Sequence, residues 1–457
     1  MGSGRLSRWV IRPAPQTRPE PRAKKPSTQA GGHVARRNAA ARNVGLRHSA
    51  WTSNDRCPRF TTVKAMGTLT SVPGWVDAAR PVAAEFFAGI GLVRLGLEAA
   101  GFDVQWSNDI DRDKHAMYVG HFQSSGSSHE LVLGDIADIT GDELPKTVAV
   151  AWASFPCTDL SLAGWRRGLV GKESATFWHF TRIIDEMDQH RPPVVVLENV
   201  VGLATSHGGA DLAAAIKELN RLGYSVDVLT LDARRFVPQS RARLFLVAAT
   251  DPPAQESQLN SELRPAWLQA PFSDLTLRTH RAVLPTPPPP RTTGLSDVVE
   301  RIPAADERWW GEERTAAFTS SLSPIQAGRL ESLRLSSSVT YRTAYRRTRS
   351  GVAVWEIRPD DVSGCLRTAR GGSSKQALVK VGRGDVRVRW MTPREYARLM
   401  GADEYRLDGL RRNQALFGFG DAVCVPVVSW LAQHYLLPLV RGEMKSAAES
   451  RLAAANA

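Results

Sequence analysis

From residue 81 to residue 250 short apolar runs alternate with stretches whose apolar residues recur every three to four positions. PVAAEFFA (81–88) reads as a strand, GIG as a tight turn, and LVRLGLEAA as a helix. That helix places Leu92, Leu95 and Ala99 on one face, with Gly101 as its stop. DVQWS, VAVAWAS, VVVLE, YSVDVLTL and RLFLVAA follow as strands, with ATFWHFTRIIDEMDQH and LAAAIKELNRLG as helices between them. The strands are apolar on both faces, so the alternation predicts an α/β domain over 79–252 with a doubly wound, mostly parallel sheet. Ligands of such sheets collect beyond the carboxyl ends of the strands.

After residue 250 the alternation is lost. LPTPPPPR (284–291) predicts a stiff connector. Residues 253–362 read as a second, smaller, loop-rich domain. A helical signature returns in VRWMTPREYARLMG, and LFGFGDAVCVPVVSWLAQHYLL predicts a final helix that packs back on the sheet. This assigns 363–442 partly to each domain and leaves 443–457 as a tail. The longest apolar stretches read as too short to span a bilayer, and no signal peptide is recognised, so a membrane is excluded as partner.

Charge changes the picture only at one end. The formal net charge is +13 from 59 basic and 46 acidic residues. The first 65 residues hold 14 of the basic and two of the acidic ones, which leaves 45 against 44 for the rest. Residues 1–78 therefore read as a basic, disordered extension. Three readings of it stay open: translated sequence ahead of a start at Met66, an arm that grips phosphate, or a targeting segment. Four widely separated cysteines, with no CxxC pair, argue against a disulfide framework and a structural zinc site, and fit a reducing cytoplasm.

Candidate chemistry lies at the strand ends. The glycine turn in EFFAGIG opens a helix N-terminus to a ligand, or serves only the steric needs of the turn. Asp109 ends the second strand, where such folds hold a ribose, and Asp135 can accept from an adenine amino group; helix capping is the alternative for both. Cys157 in ASFPCTDLS is a buried filler or a thiolate nucleophile. Glu198 ends the next core strand, within reach of proton transfer to such a site. Gln239, Arg241 and Arg243 precede the last strand, and the two arginines at spacing two are expected to point the same way, towards a carbonyl oxygen or phosphate.

FAGIG, SNDID, GDI, FPCTDLS, ENV and QSRAR, in this order and spacing, resemble the DNA (cytosine-5) methyltransferases. GCLRTARGGSS, TPREYARLMG and FGDAVCVPVV resemble that family's later blocks, so the likeness spans about residues 81–440. It implies an S-adenosylmethionine-dependent enzyme that methylates a flipped-out cytosine in a specific double-stranded DNA site. Cys157 would add to C6, Glu198 would protonate or hydrogen-bond N3, and Arg243 with Arg241 would contact the base and phosphate side. The cofactor would lie against Phe87, Ala88, Gly89, Gly91, Asp109, Ile110, Asp135, Ile136, Pro156, Asp421 and Ala422. Residues 161–175 would close over DNA, with Ser161, Arg166, Arg167 and Gln239 as contacts. Residues 253–362 take the place of the target-recognition region, where Arg342, Arg346, Arg347 and Arg349 of YRTAYRRTR are either base-reading contacts or a solvated charge run.

The resemblance also implies a monomer, paired with a restriction endonuclease or acting alone, and no metal. Three positions depart from the family pattern. Glu85 replaces an aspartate, Leu92 a glycine, and Asp421 an asparagine near the methionine end of the cofactor. The carboxylate of Asp421 is expected to repel the cofactor's own. Two rival readings are a tRNA cytosine methyltransferase, which the long 250–362 region disfavours, and a non-catalytic DNA-binding regulator, which the intact Pro156-Cys157 and Glu198-Asn199-Val200 disfavour.

Overall fold

The computed structural model describes residues 9–11, 79–123, 129–155, 175–255, 261–349, 351–368 and 375–444. Eight strands form the main sheet: β1 (Trp9–Ile11), β2 (Val82–Phe86), β3 (Asp103–Asp109), β4 (Glu130–Leu133), β5 (Val148–Ala153), β6 (Val194–Val200), β7 (Ser225–Asp232) and β8 (Ala242–Ala249). Their order is β1-β4-β3-β2-β5-β6-β8-β7, parallel except for β8, which runs antiparallel to both neighbours. The central strands are apolar because both faces are covered. One face packs on a core that includes Leu97, Trp152, Phe245 and the C-terminal helices, the other on a core that includes Phe86, Phe180, Ile216 and Leu246.

Helices α1 (Leu92–Ala99), α2 (Arg112–Phe122), α3 (Ala175–Glu186) and α4 (Ala210–Arg221) connect the strands. Asp111 caps α2 by accepting the Asp113 and Lys114 N–H groups, at 2.8 and 3.1 Å. Registers Phe86↔Asn108, Phe86↔Ala153 and Ala153↔Leu197 align the carboxyl ends of β3, β2, β5 and β6 along one edge.

Four expectations from the sequence are corrected. The N-terminal extension, read as disordered throughout, contributes β1, which pairs with β4 in the register Val10↔Val132. The boundary at 252/253 cuts through the first domain: the Thr230 N–H donates to Leu263 O at 2.8 Å, and Arg264 forms a fully buried pair with Asp227 of β7. The second region is loop-rich only as far as residue 311, and order the sequence did not show follows. It holds two helices, Glu312–Ser320 and Pro324–Arg334, against an antiparallel sheet of β9 (Thr340–Arg349), β10 (Val352–Ile357), β11 (Ala377–Gly382) and β12 (Asp385–Trp390), in the order β10-β9-β11-β12. The helical run Arg412–Val440 is apolar and long enough to cross a bilayer by composition, yet 67% of its most apolar window is buried in protein. Its residues Val428, Leu431 and Tyr435 belong to the core of the main sheet.

Candidate active site

β2 delivers the chain into α1 through a strained turn. Phe87 (φ 57°), Gly89 (φ 59°) and Gly91 (φ 80°) all take left-handed backbone. Gly91 is required twice over, since a Cβ there would lie 2.5 Å from the Phe122 ring. The turn is pinned from three sides. Ala88 N–H donates to Asn108 O at 2.9 Å, Gly89 N–H to Asp109 Oδ2 at 2.7 Å, and the Tyr405 hydroxyl to Ile90 O at 2.8 Å. Asp109 Oδ1 accepts the Asp111 N–H at 2.8 Å. Burial raises the pKa of Asp109, opposed by the charge of Lys114 and by these backbone donors. Beside it Ile110 is 64% exposed, an apolar face at the strand tip. Asp135 caps the short turn after β4 by accepting the Ala137 N–H at 3.0 Å. Ile136, the next residue, is buried in the core that includes Phe86.

At the tip of β6, Glu198 Oε1 lies 2.9 Å from Arg243 Nε, with side chains only 9% and 15% exposed. Antiparallel register Val200↔Arg243 brings them together. Next to Glu198, the Asn199 amide donates to Phe155 O at 3.4 Å and accepts the Val200 N–H at 2.8 Å. Asn199 thus ties the tip of β6 to the chain leaving β5, two residues before Cys157. Pro156, Cys157, Ser161, Arg166 and Arg167 lie outside the described residues.

Arg241 and Gln239 do not turn towards Glu198. Arg241 is 3% exposed and donates through Nη2 to Ala422 O at 2.7 Å and through Nη1 to Leu366 O at 2.9 Å. Gln239 is fully buried, donating to Leu399 O at 2.7 Å and accepting the Leu366 N–H at 3.1 Å. Both join the C-terminal blocks to the main sheet, which corrects the catalytic and DNA-contacting roles expected of them. The arginines of β9 divide. Arg342, expected at DNA, donates through Nη1 to Thr340 Oγ1 and Tyr341 O, both at 2.6 Å. The Arg346 guanidinium lies 5.9 Å from the centre of the Trp355 ring. Arg347, half exposed, pairs with Glu356 at 3.2 Å. The Arg349 side chain lies outside what the structure describes.

Two features escaped the sequence. Asp421 is not an uncompensated carboxylate: Lys114 Nζ lies 2.9 Å from its Oδ2. The only signal was a lysine in the first turn of a helix, where cations are disfavoured. Cys365 lies 3.4 Å from Arg241 Nη1. Burial alone would raise its pKa, but Arg241, Arg243 and Arg367 bring it below the usual thiol value. Cys424, by contrast, is buried and pushed up to about 12.

Comparison with known proteins agrees with this geometry. A family model described as C-5 cytosine-specific DNA methylase matches residues 83–436. The type II methyltransferase M.Bsp6I of Bacillus sp. (strain RFL6) is 26% identical over 77% of this chain and 97% of its own length. M.DsaV of Dactylococcopsis salina is 27% identical over 77% of this chain and 85% of its own. Among solved structures, the S. pombe Dnmt2 methyltransferase shares the fold with a TM-score of 0.51 at 17% identity, over 79% of this chain and 99% of its own.

Proposed function

The chain belongs to the C-5 cytosine-specific DNA methylase family, and on that premise we propose that Cys157, Glu198 and Arg243 form its catalytic group. The protein is a DNA cytosine-5 methyltransferase that uses S-adenosylmethionine. The observation that carries the residue assignment is the Glu198–Arg243 pair at the tip of β6, with Asn199 holding the chain just ahead of Cys157.

Carbon 5 of cytosine is a weak nucleophile until C6 is saturated, so a covalent step divides one high barrier into lower ones. Cys157 adds as thiolate to C6. Glu198 hydrogen-bonds N3 and stabilises the charge that the addition drives into the ring. Arg243 fixes the carboxylate in one orientation through the contact of its Nε with Oε1. The cytosine must leave the duplex to reach this cleft. S-adenosylmethionine supplies the electrophilic methyl group.

The residues at the β2 and β3 tips suit that cofactor. The left-handed turn brings backbone close to a ligand, Ile110 offers an apolar face to an adenine, and Asp109 keeps lone pairs for ribose hydroxyls. Phe87, Ala88, Gly89, Gly91, Asp135, Pro156, Asp421 and Ala422 complete the proposed lining. The similarity to type II methyltransferases supports a restriction-modification setting, and the enzyme of this reading is a monomer that modifies a sequence-specific, double-stranded target in the cytoplasm.

The test uses full-length enzyme, tritiated methyl donor and a duplex containing 5-fluorocytosine. Cys157→Ser is expected to abolish both transfer and covalent trapping while duplex binding persists. Glu198→Gln is expected to slow transfer by about a hundredfold or more. Trapping by the serine variant, or transfer to tRNA and not to duplex DNA, overturns the reading.

A further inference from the structure

Lys114 and Asp421 each occupy a position that local physics disfavours. Lys114 is the third residue of α2, next to the positive end of that helix. Asp421 is the last residue of the helix Arg412–Asp421, at its negative end. They meet at 2.9 Å with side chains 22% and 36% exposed. In a largely buried pair of this kind the desolvation of both charges offsets much of their attraction, so stability alone does not explain the arrangement.

Location does. The helix ending in Asp421 packs on the glycine turn, where Gly418 has no room for a Cβ between Ile90 and Met117. Gly420 is likewise closed off by the Arg367 backbone, which fixes the position of Asp421. On the other side Lys114 faces Asp109, the residue that holds Gly89. The pair therefore stands at the rim of the turn, beside the proposed ribose site.

S-adenosylmethionine ends in an amino acid, with one carboxylate and one ammonium group. A lysine and an aspartate side by side present the complementary charges. We propose that Lys114 and Asp421 form the subsite for the amino-acid end of the cofactor, with the Lys114 ammonium on its carboxylate and the Asp421 carboxylate on its ammonium. This rests on the cofactor assignment above and adds Lys114 as a positioning residue. It also resolves the expected repulsion, because Asp421 meets the cofactor already neutralised by a neighbour that the cofactor shares.

The test is calorimetric titration of the full-length protein with two adenosine ligands. S-adenosylhomocysteine carries the amino-acid end and 5′-methylthioadenosine lacks it. Lys114→Met is expected to weaken S-adenosylhomocysteine about tenfold or more and to leave methylthioadenosine within about twofold. Adding Asp421→Asn to that variant is expected to recover part of the loss, since it removes the unpaired carboxylate. Asp421→Asn alone changes one charge at constant shape and is expected to show the same selectivity more weakly, so it carries the test should Lys114→Met fail to fold. Equal weakening of both ligands, or none of S-adenosylhomocysteine, overturns the subsite. A native protein that binds neither ligand overturns the cofactor assignment instead.

Discussion

Glu85 stands where the family pattern has an aspartate, and it is buried at 1% exposed. Neither oxygen meets a side-chain donor. Burial raises its pKa well above the usual carboxyl value of 4.5, with the Arg94 charge opposing only in part. The fold therefore binds this proton more tightly than the unfolded chain does. Its contribution is fully present below the unfolded value of 4.5 and is lost as pH rises towards the folded pKa. Glu85→Gln removes that dependence. Its gain in urea midpoint over the native protein is expected to be larger at about pH 8 than at about pH 5, and equal gains would mean that Glu85 is ionised and paired. At the same scale, Asp421 was legible as a departure and its remedy was not. Nothing in the sequence ties Lys114 to a residue so distant in the chain, and only the folded site brings them together.

Elements explain why two residues of one motif part company. Spacing two predicts a common direction only inside a strand, and β8 begins at Ala242. Arg243 lies within it and turns to Glu198, whereas Arg241 precedes it and turns inward to the carbonyls of Leu366, Gly420 and Ala422. Arg241→Met is expected to cost about 2–4 kcal/mol in urea denaturation, because those buried carbonyls lose their donor. A change below about 0.5 kcal/mol would show that water replaces the guanidinium. The α/β alternation was readable because the central strands are apolar throughout, as burial on both faces demands. β9 was not, because its arginines break the apolar pattern. In the fold the Arg346 guanidinium covers Trp355 and that of Arg347 covers Tyr345, so charged residues do the covering that apolar ones usually do. The ordering of Glu198 and Asp109 at strand tips was readable for the same reason as the strands. The inward turn of Gln239 was not, since a buried amide and a contacting one look alike in sequence.

The molecule as a whole carries its excess charge at one end. The family match begins at residue 83, after the basic extension, whose described residues 9–11 form β1 beside β4. Deleting residues 1–78 is expected to preserve methyl transfer to duplex DNA. It also uncovers the edge of β4, so light scattering on heating is expected to rise at a lower temperature than for the full chain. Loss of transfer would assign the extension a part in catalysis. The site itself draws on both ends of the family region, as the Tyr405 hydroxyl that pins the glycine turn at Ile90 comes from 315 residues later in the chain. At about 5–20 residues per second, a ribosome needs about 15–60 s to pass from one to the other. During that interval the glycine turn emerges without Tyr405, and Lys114 without Asp421. The nascent chain therefore carries an unpinned glycine turn until synthesis is nearly done.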